Sequence, residues 1–190
     1  MKWFIFSFSI LFFLFTPIIF AHVGFHFKVD AATEAAELKL DSSGVDEYQL
    51  PYPGLLPDNP LYPIKTFRDK VVSLLISDPV RKAEFNLLQA DKRLHAGILL
   101  IQQSKKHKLA IDTISKGENY LEEALIKTTD AKKQGMSVGN ISDKLKKSAN
   151  KHKMVISELS AIGTKENASG YSALIKRIEK LQKQVVAFKP

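Results

Sequence analysis

The sequence predicts an all-α protein: an elongated antiparallel helical hairpin or bundle of about five helices, following an N-terminal signal or anchor segment. Three observations carry this expectation. Apolar residues recur at three and four spacing in successive windows after residue 60. Proline and glycine fall between those windows, at Pro79, Gly135, Gly139 and Gly163. Small side chains form a seven-residue ladder, Ala83, Ala90, Gly97 and Ser104, then Ala110, Gly117, Ala124 and Ala131, which takes in eight of the ten Ala, Gly and Ser residues between Val80 and Lys133. The ladder positions pair at a constant sum, 83 with 131 and 97 with 117, so two helices folding back about residue 107 would set small residues against small residues. Such a seam brings helix axes to the short end of the roughly 8 to 10 Å range and leaves no internal cavity for a substrate.

The chain has 190 residues, enough for one ordinary domain of roughly 100 to 150 residues and an export segment. Residues 1–21 read as a signal peptide or membrane anchor. Trp3 to Phe20 contains no charge, Lys2 precedes it, and nine of the twelve Phe lie between Phe4 and Phe27. Thr16-Pro17 and Ala21 favour cleavage near Ala21, with Val29-Asp30-Ala31 as a second cut; a retained anchor is the other reading. Either way the body is expected outside the cytoplasmic membrane, secreted or tethered. The chain has no Cys, so an exported domain must be held by packing alone. Residues 22–47 read as a mobile acidic linker.

Residues 48–134 hold a proline block and three helices. Tyr48 to Pro63 contains five of the eight prolines, which makes it extended and stiff, able to lie along a helix groove. Asp58 or Asn59 is placed to cap a first helix running to about Ile76, which should bury Leu61, Ile64, Phe67, Val71 and Leu74 or Leu75. Ser77-Asp78-Pro79 ends it and starts the next, with Asp78 as cap and Pro79 in the first turn. The second helix, to about Lys105, should bury Val80, Ala83, Leu87, Ala90, Leu94 and Ile101. Lys105 to Lys108 is the expected turn, and the third helix runs from about Leu109 to Gln134, each arm near 40 Å at about 1.5 Å per residue.

Residues 135–190 read as two basic helices packed on the hairpin or appended to it. The fourth carries the stripe Ile141, Leu145, Ser148, His152, Val155, Leu159 and Ile162. The fifth places Leu174, Ile178, Leu181 and Val185 on one side, with Lys176, Lys180 and Lys183 opposite and Arg177 on their flank. The net charge of +8 belongs here: residues 141 to 190 carry eleven Lys/Arg against four acids, while residues 32 to 140 balance at fifteen each.

The run Leu56-Pro57-Asp58-Asn59-Pro60-Leu61-Tyr62, followed by Lys65 and Arg68-Asp69, then Ser77-Asp78-Pro79 and Ala90-Asp91-Lys92-Arg93-Leu94, resembles a family of bacterial extracytoplasmic helical domains of unknown function. The resemblance covers about residues 48 to 134. It implies a signal or single membrane anchor before the proline block and a long helical hairpin after it. It offers no catalytic residue.

No catalytic set, cofactor site or metal site is expected. His22 and His26 have helical i, i+4 spacing but no flanking carboxylate or cysteine. His95 lies one turn after Asp91, which suggests a surface ion pair. His152 shares a stripe with Ser148, as a polar layer fixing register or a ligand contact. Asp112, Glu118, Glu122 and Glu123 lack the Glu-x-x-His partner of a bundle metal site. The expected role is therefore non-enzymatic, an envelope interaction or sensing module with an unidentified protein or envelope partner and a membrane association. The alternative is a binder of anionic lipid or cell-wall polymer through Lys176, Arg177, Lys180 and Lys183. Nucleic acid is disfavoured, because the basic tail holds only Tyr171 and Phe188 for stacking and export removes the partner.

Overall fold

The computed structural model describes residues 48–188. The expected signal or anchor (1–21) and the acidic linker (22–47), with His22 and His26, lie outside the described residues. Five α-helices follow the proline block: α1 (Tyr62–Leu75), α2 (Pro79–Ser104), α3 (His107–Lys133), α4 (Gly139–Ala161) and α5 (Ala168–Ala187), with a short 3-10 turn at Lys165–Asn167. No strand occurs among the described residues, so the protein is all-α.

Local chemistry sets the boundaries. Asp78 Oδ1 accepts the Arg81 N–H at 2.7 Å, and Pro79 stands in the first turn of α2, where its missing N–H costs nothing. No side chain caps α1; Asn59 Oδ1 instead accepts the Leu61 N–H at 2.9 Å and closes the turn before it. Lys105 ends α2 in the left-handed region, at φ 49°, and the Lys105 and Lys106 N–H groups donate back to Ile101 and Leu100.

The α2–α3 connection is therefore two residues long, shorter than the expected Lys105–Lys108 turn, and this corrects the ladder's register. The chain reverses between Lys105 and Lys106, so facing positions shift by almost one helical turn. A Cβ on Gly97 would meet Ile114 Cγ1 at 2.5 Å, and one on Gly117 would meet the Ala90 carbonyl oxygen and Arg93 Cβ at 3.1 Å. Gly97 thus receives a large side chain instead of facing Gly117. Seven of the eight ladder residues are buried and Ser104 is exposed. The small residues serve as holes for knobs such as Ile114, which is how antiparallel helices interdigitate.

The α4–α5 pair completes a bundle. Its two helices run antiparallel, as Asn150 with Gln182 and Lys153 with Glu179 show. Parallel neighbours join the pairs: α4 lies beside α2, through Lys144 with Glu84, and α5 beside α3, through Tyr171 with His107. One contiguous core contains Leu87, Leu94, Leu121, Ile141, Leu145, Ile156, Leu174, Ile178 and Leu181. Gly170 passes so close to α3 that a Cβ there would stand 3.0 Å from Ile111. The α4 stripe ends one residue early, since Ile162 is exposed.

Candidate interaction face and its buried support

The first helix is inverted relative to expectation. Leu61, Ile64, Phe67, Val71, Val72, Leu74 and Leu75 are between 39% and 82% exposed. The expected burial of this stripe is overturned. The opposite stripe, Tyr62, Lys65, Thr66, Asp69, Ser73 and Ile76, is buried or half-buried. At 100° per residue the two stripes lie back to back, so α1 shows its apolar side to solvent.

The proline block explains why the polar side faces in. Prolines donate no N–H and hold the chain extended, so the block's carbonyls find no ladder partner and must take donors from side chains. Lys65 Nζ donates to the Pro53 and Leu55 carbonyls at 2.5 and 3.1 Å. His95, with the proton on Nδ1, donates to the Pro51 carbonyl at 3.0 Å. Lys82 Nζ donates to the Ser73 carbonyl, drawing the end of α1 toward α2. Asp69 is buried and takes Arg68 at 2.7 Å. Burial lowers the Lys65 pKa and raises that of Tyr62.

The motif residues divide accordingly. Leu56 packs against the core, Asp58 pairs with Lys106 at 3.0 Å, and Tyr62 and Lys65 turn inward. Pro57 is half-buried, while Pro60, Leu61 and Arg68 are exposed.

A buried carboxylate fastens the start of the block. Asp91 is 3% exposed. It accepts the Tyr48 hydroxyl on Oδ2 and the Ser148 hydroxyl on Oδ1, each at 2.6 Å, with His152 Nε2 at 3.3 Å from Oδ1. His152 Nδ1 has no hydrogen-bond partner. Burial, then the Asp91 charge, raises the Tyr48 pKa, so the phenol stays a donor. The expected Asp91–His95 ion pair is absent: Asp91 points into the bundle and His95 to the proline block. Ser148 and His152 form a buried polar layer, and both bond to Asp91 without bonding each other, which is no nucleophile–base pair.

The acidic residues of α3 do not gather into a site. Glu118 is fully buried, neither carboxyl oxygen has a hydrogen bond, and burial raises its pKa to about 8 even with Arg177 Nε 3.8 Å away. Among the described residues no cluster of three or more His, Cys, Asp or Glu side chains is placed to hold a metal. Arg177 is half-buried, bonding Glu122 at 2.9 Å. It thus leaves the outward basic group, in which Lys176, Lys180 and Lys183 are exposed. A shallow open depression lies at the hairpin tip, where Lys105, Lys106, His107 and Lys108 meet Asp112 and Glu166. No helix among the described residues is long and apolar enough to cross a membrane.

Sequence reasoning missed the inversion of α1. A signal was present: Tyr62, Lys65, Asp69 and Ser73 repeat at three and four spacing as regularly as the apolar residues, and a polar stripe can be the attached one when a proline block supplies bare carbonyls.

A family model described as Domain of unknown function (DUF5667) matches residues 54–167, and the chain belongs to that family. No curated protein and no solved structure matches the chain.

Proposed function

We propose that this member of the DUF5667 family is a non-enzymatic module, exported and membrane-associated, that works by contact through the outward face of α1. The uncharged run from Trp3 to Phe20 supports the compartment. One observation carries the contact reading: a helix in the matched region, with the Leu61 that precedes it, turns seven large apolar side chains outward while its polar side is fastened inward. Covering such a face returns on the order of 10 kcal/mol gross at about 1.5 to 3 kcal/mol per fully buried side chain, before ordering costs. Contiguous apolar patches of this kind mark interaction sites. The test has two parts. Alkaline phosphatase fused after Pro190 is active only outside the cytoplasm, and an inactive fusion would remove the export reading. Photo-crosslinkers at Phe67 and at Lys176 should then give adducts in the envelope from the first position and few from the second.

The second reading, a binder of anionic lipid or cell-wall polymer through the basic C-terminal helices, rests on the exposure of Lys176, Lys180 and Lys183. At about 1 kcal/mol per cation near an acidic surface, these supply roughly 3 kcal/mol. Replacing the three by Gln tests it without orphaning Glu118, as loss of Arg177 would. Salt-sensitive binding abolished by the triple variant favours this reading over the first.

A further inference from the structure

We infer that the outward face of α1 rests on the surface of a lipid bilayer, with the helix axis in the membrane plane. This rests on the reading of the chain as a membrane-associated contact module and names what the face contacts. The shape of the face is the first argument. Leu61, Ile64, Phe67, Val71, Leu74 and Leu75 form a ridge along a single helix, and an apolar ridge matches the headgroup–acyl boundary of a bilayer.

Charge is the second. The only acid of α1, Asp69, is buried on the inner side and paired with Arg68. The outward side carries no negative charge, while Arg68 and Lys70 are exposed within and beside the apolar stripe. Lys70 has an aliphatic stem long enough to lie along an apolar surface with its charge at anionic headgroups, and Arg68, whose guanidinium is held by Asp69, lends its stem to the apolar stripe.

Reach is the third. The 27 residues between Phe20 and Tyr48 span at most about 95 Å when fully extended. A chain whose Trp3–Phe20 run is held in a bilayer therefore tethers Tyr48 within that distance of the surface, which raises the effective concentration of the face there and lowers the intrinsic affinity it needs.

The absence of Cys permits single-site labelling of the full chain. Phe67→Cys and Lys176→Cys, each carrying the fluorophore NBD, are reconstituted into vesicles of phosphatidylcholine and phosphatidylglycerol with or without brominated acyl chains. Expected is a blue-shifted label at 67 that loses most of its emission to brominated lipid, beside a label at 176 that ignores brominated lipid and is quenched by aqueous iodide. A chain that floats with the vesicles while its label at 67 is quenched by iodide overturns the bilayer contact and leaves the module reading standing. A label at 67 shielded from iodide yet indifferent to brominated lipid means that protein covers the face, a second copy or residues 1–47, and overturns it too. Bromine quenching at 176 and not at 67 transfers the contact to the basic helix. Failure to float removes both the contact and the membrane association.

Discussion

Helices α1 and α3 are both amphipathic, and they bury opposite faces. In α3 the apolar side, with Ala110, Ile114, Gly117 and Leu121, is sealed against α2, and apart from Ile126 the exposed positions are polar. In α1 the inward side holds Tyr62, Lys65 and Asp69, and Phe67 and Leu74 are exposed. The difference lies in the neighbour. Helix α3 meets a helix with holes cut by Gly97 and Ala90, which an apolar knob fills well. Helix α1 meets a proline-rich segment whose carbonyls lack donors, which a lysine satisfies well. Periodicity says that a helix has two sides; the partner's unmet needs decide which side is buried.

The change that should cost most is Gly97→Leu, because Ile114 already fills the space a side chain would enter. A loss of about 3 kcal/mol or more is expected in urea titration, against less than about 0.5 for Gln103→Leu on the exposed side of the same helix. Equal midpoints for the two would mean that α3 does not seat its knobs in α2. Ala96, next to Gly97 in the chain, is 4% exposed, so Ala96→Leu belongs with the damaging substitutions.

Asp91→Ala comes next, at about 2 to 3 kcal/mol, since it strands the Tyr48 and Ser148 hydroxyls and the His152 ring. Tyr48→Phe should cost less than Asp91→Ala, because the Ser148 and His152 contacts to Oδ1 remain and only Oδ2 loses its donor.

Glu118 gives a pH signature. Its folded pKa, about 8, lies above that of an ordinary carboxyl. The folded state therefore holds a proton that the unfolded chain releases near pH 4.5. Stability from this group is complete below that point, falls as pH rises, and levels off above about 8. Glu118→Gln should flatten that slope and gain on the order of 2 kcal/mol at about pH 9, read from melts across pH. A variant with the wild-type slope would show that Glu118 ionises freely.

The smallest effect sharpens the contrast. Phe67→Ser should change stability by less than about 0.5 kcal/mol, because that ring is 68% exposed. A loss of several kcal/mol would mean that α1 buries its apolar side after all.

Much of the bundle was legible because its signals are local. Asp78-Pro79 marks a helix start by cap chemistry, and Leu174, Ile178, Leu181 and Val185 reach the core at the spacing that predicts them. The seam's composition was legible but its register was not, since the φ of Lys105 shortens the turn and no sequence pattern announces a left-handed lysine. The polar layer was half legible: Ser148 and His152 share a stripe, but their partner Asp91 sits 57 and 61 residues earlier. The inward side of α1 stayed hidden for the same reason, because the carbonyls it satisfies belong to a segment with no periodicity of its own.

The attachment of Tyr48 to Asp91 has a mechanical consequence. Among the described residues, tension on the chain before Tyr48 is first borne by that hydroxyl's bond, whose acceptor is embedded between α2 and α4. Load is thereby delivered to the middle of the bundle and kept off α1, whose grip on Pro53 and Leu55 lies farther along the thread.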